Sequence, residues 1–139
     1  MNLLLLSYLP LLTKPTKPTK SKIKTIMRII KFRGKDVFTD TWKYGDLVHN
    51  KRVTTSGLEP RTMVGGYEVN PSTVGQFTGF KDRNGQEVYE GDTIVFNTVT
   101  FEIVWNEVIG GFSLKGKISN FVSTTPLGLM IDTNNIKKK

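Results

Sequence analysis

Seven residues, Gly111-Phe112-Ser113-Leu114-Lys115-Gly116-Lys117, carry the glycine and lysine spacing of a phosphate-binding loop. Such a loop cradles phosphate in its backbone amides and needs Ser or Thr next, to hold magnesium. The next residue is Ile118. The loop also needs a strand before it and a long helix after it, whereas Phe112 and Leu114 read as inward positions of a strand. Nucleotide binding is set aside on both counts. A nucleophilic triad has equally little to build on. His49 is the single histidine, there is no cysteine, and no serine sits in a Gly-x-Ser-x-Gly elbow. His49 reads as a solvated loop residue.

Four carboxylates crowd one segment: Asp82, Glu87, Glu90 and Asp92. Paired carboxylates bind hard cations or exchange protons. Glu90-Gly91-Asp92 stands directly before Thr93-Ile94-Val95, however, and a structural role accounts for it better. Gly91 supplies an unusual dihedral and Asp92 accepts hydrogen bonds from neighbouring backbone amides. No catalytic, metal-binding or cofactor-binding residue is assigned, and no cofactor is expected.

Aromatic residues beside basic ones would make a stacking platform for single-stranded nucleic acid. Phe32, Trp42, Tyr44, Phe77, Tyr89, Phe101, Trp105 and Phe112 mostly hold alternating positions, which favours a core role. Tyr44 and Tyr89 are the two expected to be partly exposed, because each has a polar tip. With Lys31, Arg33 and Lys35 they form the candidate contact set for nucleic acid or a protein partner.

The net charge of +8 points to a polyanion, so its distribution decides. Residues 1–26 hold five lysines and no acid, and residues 137–139 are all lysine. Residues 28–136 balance 12 basic against 12 acidic side chains. Basic ends bind phosphate without specificity, and a neutral body argues against a dedicated nucleic-acid groove.

The elements that must position these groups read as short strands and tight turns. Ile30–Arg33 alternates apolar and basic residues, with Gly34 as its end. Asp40-Thr41 is a turn, and Trp42–Tyr44 with Leu47-Val48 completes an N-terminal hairpin unit. His49–Gly66 is polar and lacks a period, so a long loop or an irregular hairpin is expected. Tyr67–Val69 is a short strand. Asn70 and Pro71 suit the N-cap and first position of a helix that Gly75 limits to about one turn. Gln76–Thr78 is extended and Gly79 permits a bend. Lys81–Gln86 turns the chain into Glu87–Tyr89, with Asn84-Gly85 expected to adopt positive φ at both positions.

Thr93–Phe96 and Phe101–Trp105 are the clearest β segments, with Asn97-Thr98 between them. Gly110-Gly111 begins a turn before Phe112–Leu114. Pro126 and Gly128 keep Leu127–Ile131 from regular helix, and Asn134–Lys139 reads as frayed. Strands every 8–12 residues or so predict an all-β fold, a small barrel or sandwich.

The N-terminal stretch differs in composition. Leu3–Leu6, Leu9, Leu11 and Leu12 form an apolar run broken by Pro10. It falls short of the roughly 20 residues that span a bilayer, and it lacks a basic n-region and a small-residue cleavage site. No membrane association is expected. A repeated Thr-Lys-Pro follows, which favours extended chain. Residues 1–26 are therefore read as a disordered extension or as upstream of a true start at Met27. Residues 27–136 are read as one domain and 137–139 as a basic tail.

Three blocks carry a family resemblance. Ile30-Lys31-Phe32-Arg33-Gly34-Lys35 with Trp42-x-Tyr44-Gly45-Asp46-Leu47 is the first. Pro71-x-Thr73-Val74-Gly75-Gln76-Phe77-Thr78-Gly79, continuing through Asp82-x-Asn84-Gly85 to Tyr89-Glu90-Gly91-Asp92, is the second. Ile103-Val104-Trp105 with Gly110-Gly111-Phe112 is the third. Together they resemble the YopX proteins, which occur mainly in bacteriophages and prophages. The resemblance implies a phage or prophage origin, a bacterial cytoplasmic setting, a small SH3-like barrel with the N-terminal β-hairpin and long loops added, and self-association into a homo-oligomer. It supplies no activity and no ligand residues. This chain departs in its N-terminal extension and in Phe80, where leucine is usual. It also ends in lysines where relatives continue into a further apolar segment. If that segment closes the barrel, an edge is exposed here or covered by another subunit.

The leading expectation is thus a non-enzymatic phage protein that binds an unnamed protein partner or assembles with itself. The alternative is a small-barrel nucleic-acid-binding accessory protein using the basic residues of Ile30–Lys35 and the two basic ends.

Overall fold

The structure, a computed structural model, describes residues 27–96, 98–118, 120–130 and 136–139. The expectations placed on 1–26 lie outside the described residues. In chain order the strands are β1 (Phe32–Lys35), β2 (Trp42–Gly45), β3 (Leu47–Thr54), β4 (Gly57–Val64), β5 (Tyr67–Glu68), β6 (Gly75–Lys81), β7 (Glu87–Tyr89), β8 (Thr93–Phe96), β9 (Val99–Asn106), β10 (Gly111–Gly116) and β11 (Ile136–Lys138). A 3-10 turn, Pro71–Thr73, precedes β6, and a one-turn helix α1 (Leu127–Met130) follows β10. The described residues are mainly β, with 57% of them in strands.

Three antiparallel sheets result, none closed into a barrel: β2-β1-β6-β7, β10-β9-β8-β11 and β3-β4-β5. The core lies on one face of the second sheet. Val88, Ile94, Ile103, Leu114, Leu127 and Ile136 form it, with Phe80, Phe96, Phe101, Phe112 and Met130 packed around them. Each strand contributes alternate residues, as a half-buried sheet requires.

The 3-10 turn is as its residues predict. Asn70 has extended dihedrals and its side chain accepts from the Ser72 amide at 3.1 Å, with Pro71 as the first turn residue.

Three expectations are corrected and a fourth is narrowed. Gly34 does not end β1 but sits inside it, opposite Lys43. A Cβ at this position would lie 2.8 Å from Val69 Cγ2, so glycine is there to let β5 and the following Val69 approach.

Of the two readings of His49–Gly66, a long loop or an irregular hairpin, the structure takes the hairpin, and makes it a regular one. β3 and β4 pair regularly from Leu47↔Val64 to Thr54↔Gly57. Both faces of this arm meet solvent over most of its length, so nothing imposes alternation on its sequence.

Asn84-Gly85 does not turn with two positive φ values. Among these residues only Gly85 does so, at φ 77. The loop is closed by Asp82 N donating to Gln86 O at 2.8 Å and Gly85 N donating to Asp82 O at 2.9 Å. This is the three-residue hairpin loop with glycine at its left-handed position.

Ile136–Lys138 is not frayed, and 137–139 is no tail. The segment pairs with β8, from Ile136↔Phe96 to Lys138↔Ile94, and Ile136 is fully buried. The expectation counted lysines and missed that a single isoleucine completes the core.

Candidate functional site

Lys31, Arg33 and Lys35 alternate along and just ahead of β1, so all three project from the same face. Phe77 of β6 and Tyr89 of β7 stand opposite each other on the neighbouring strands. The structure brings four of the five candidate residues onto one aromatic surface. Lys31 forms an ion pair with Glu87 and sits 5.0 Å from the Phe77 ring centre. Arg33 lies between Trp42 at 4.2 Å and Tyr89 at 5.2 Å, and its Nη1 pairs with Asp92 at 2.6 Å. Tyr44 tilts against Tyr89 with ring centres 5.6 Å apart. Lys35 stands apart, 5.5 Å from the Trp42 ring centre and 3.6 Å from the exposed Asp40.

Tyr89 is corrected from partly exposed to buried, at 1% exposure. Tyr44, Phe77, Arg33 and Lys138 close over its ring, and its hydroxyl donates to Glu87 at 2.8 Å. Burial, and then the Glu87 carboxylate, push that hydroxyl well above the usual phenol range. Tyr44 stays half-exposed, as expected. Arg33 is also buried, at 5% exposure.

The carboxylates around the hairpin are engaged structurally. Asp82 accepts the amides of Asn84, Gln86 and Lys138 at 2.8, 2.9 and 3.0 Å. Burial alone would raise its carboxyl. The three amides and the Lys138 charge outweigh that and hold it below the ordinary range. Glu87 is lowered by the Lys31 hydrogen bond first, against burial, with Tyr89 adding to the effect. Asp92 accepts the Tyr89 amide at 2.8 Å and pairs with both Arg33 and Lys138, the latter at 3.1 Å. Among the described residues no group of three His, Cys, Asp or Glu is placed to hold a metal ion. No described helix is long and apolar enough to cross a membrane.

The segment resembling a phosphate loop is β10, paired along its length with β9. His49 lies on β3 opposite Thr62, with Nδ1 3.4 Å from the Thr62 hydroxyl, rather than in the loop expected of it.

One concave region escaped the sequence reading. A cleft of about 470 Å³ runs between β1-β2 and β9, with Arg33, Trp42, Trp105, Glu90 and Glu102 in its lining. Trp42 and Trp105 are 38% and 44% exposed. Trp105 is held by Phe112 in an edge-to-face contact at 5.3 Å. The signal was present in the sequence as the two tryptophans, but their juxtaposition depends on the pairing of two different sheets.

A family model described as YopX protein matches residues 31–128. No curated protein matches the chain.

Proposed function

The chain belongs to the YopX family, and from its geometry we propose that it acts by binding and self-assembly rather than by catalysis. The observation that carries this reading is the β3–β4 arm. It pairs over eight residues yet gains only the two-residue β5 as a further neighbour. A two-stranded ribbon is marginal in water on its own. Val48, Val53 and Leu58 are exposed on it, and β3 lies at the edge of its sheet with its outer groups open to another strand.

Two copies of β3 can pair antiparallel about Asn50. That register sets Val53 opposite Leu47, Arg52 opposite Val48 and Lys51 opposite His49, with no like charges of full strength facing each other. Size-exclusion chromatography with light scattering tests it. An oligomer that Val53→Lys converts to monomer supports the reading; a clean monomer at high concentration overturns it.

The finer architecture we propose is an SH3-like barrel portion built from β6 to β11. It is supported by ties between the two larger sheets at their corner. Arg83 N donates to Ile136 O at 3.0 Å and Gly91 N to Ile103 O at 2.8 Å. The setting we propose is a phage or prophage protein in the bacterial cytoplasm, to which the absence of cysteine is suited. The nucleic-acid alternative is weakened by the burial of Arg33 and Tyr89, which leaves Lys31, Lys35 and Tyr44 as the accessible contacts of the candidate set. Salt-dependent DNA binding at low ionic strength by the full chain would favour it.

A further inference from the structure

We propose that the cleft between Trp42 and Trp105 is a docking site for an arginine side chain of a partner polypeptide. This deepens the binding reading above by naming the partner's chemistry.

Charge selects the class of ligand. Arg33 contributes a cation, but Asp92 already offsets it at 2.6 Å. Glu90 and Glu102 also line the cleft, and neither has an ion-pair partner among the described residues. The cleft is therefore negative, and a phosphate strand entering it would meet two uncompensated carboxylates. A cation is favoured.

Shape and aromatic walls select among cations. Trp105, 44% exposed, offers an indole face on which a cation is strongly held, while the Trp42 ring already carries Arg33 and Lys35 and closes the other side of the cleft. A guanidinium is flat, stacks on indole and presents several donors in one plane, so it can reach two carboxylates while lying on a ring. An ammonium does only part of this. The structure already holds one guanidinium against Trp42, that of Arg33, at 4.2 Å.

A second, independent observation points to a polypeptide rather than a free cation. Arg33 Nε is buried and has no acceptor among the described residues. A buried donor left unmade costs on the order of 1–3 kcal/mol, a cost that the pair with Asp92 alone does not explain. An entering peptide carbonyl that displaces the edge of Trp42 gives this donor its acceptor. The site thus offers acceptors for a side chain and a donor for a main chain.

Trp42 and Trp105 are the only tryptophans in the chain, so tryptophan emission reports on this cleft alone. The full-length protein is titrated with a short capped peptide of glycine and serine around one arginine. The same peptide carrying uncharged citrulline, and a thymidine oligonucleotide, are titrated in parallel. The arginine peptide is expected to shift the emission saturably and to bind about tenfold or more tighter than the citrulline peptide. Glu90→Gln with Glu102→Gln is expected to remove that preference while leaving the melting temperature unchanged. Equal binding of the two peptides, no saturable shift, or tighter binding of the oligonucleotide each overturns the proposal. An oligomer that persists while the arginine peptide fails to bind leaves self-assembly standing and rejects this site alone.

Discussion

Replacing Asp92 by asparagine should be the most damaging isosteric change in this protein. The carboxylate is 6% exposed and faces an Arg33 side chain that is equally buried, at 2.6 Å. Asparagine keeps the shape and can still accept the Tyr89 amide, so packing and that hydrogen bond survive. What goes is the negative charge. Lys138 is 22% exposed and can turn to water, but Arg33 is held between Trp42 and Tyr89 and cannot. It is left as an uncompensated charge out of solvent. Breaking one side of a buried pair costs about 3–5 kcal/mol, a large part of the stability of a small domain. Urea unfolding followed by tryptophan emission would measure it. Arg33→Met in the same background removes the stranded charge, so the double variant should be more stable than Asp92→Asn alone. A loss of under about 1 kcal/mol for Asp92→Asn, or additive losses in the double variant, would refute the claim that this pair is desolvated and coupled.

Other outcomes follow from named contacts. Gly34→Ala should cost about 1–3 kcal/mol by overpacking against Val69, and Val69→Ala should recover part of it in a thermal melt. The Asp82 and Glu87 carboxyls titrate lower in the folded chain than in the unfolded one. Their contribution is therefore complete above the ordinary carboxyl range and drains away as pH falls through their folded values; Asp82→Asn should flatten that acid limb in a series of melts. The Tyr89 hydroxyl is shifted the other way. Stability is complete below the ordinary phenol value and is lost as pH rises above about 10, a loss that Tyr89→Phe should abolish.

Much of the fold could be read from residues whose demand is local. Asn70-Pro71 announces its turn because capping needs only its own neighbours. Thr93–Phe96 and Phe101–Trp105 announce strands because one face is buried and one is not. The β3–β4 arm hid itself for the opposite reason: with both faces in water, no period is written into it. β11 hid because three lysines outweighed one isoleucine in composition, while in space Ile136 fills the core. The candidate contacts were half legible. Their shared face follows from alternation along β1, but the partners that consume them, Glu87 and Asp92, arrive from distant strands. In sequence Arg33 looks like a contact for others; in the structure it is the centre of an internal cluster.

The β3–β4 arm also separates the molecule in time. Its hydrogen bonds join residues close in sequence, and such ribbons form in microseconds. The ties that hold the other sheets together are remote: Lys31 to Glu87 and Asp82 to Lys138 each span 56 positions, and Arg33 to the Glu90 carbonyl spans 57. Contacts of that separation close slowly, because loop entropy is spent before they form. The arm can therefore be present before the body has closed, and can open again without the body opening. Amide exchange should fall into two tiers, fast from Val48 to Thr62 and slow in β8 and β9. The surface proposed above for another copy of the chain would then be offered first and held most loosely, leaving any assembly free to begin before folding ends.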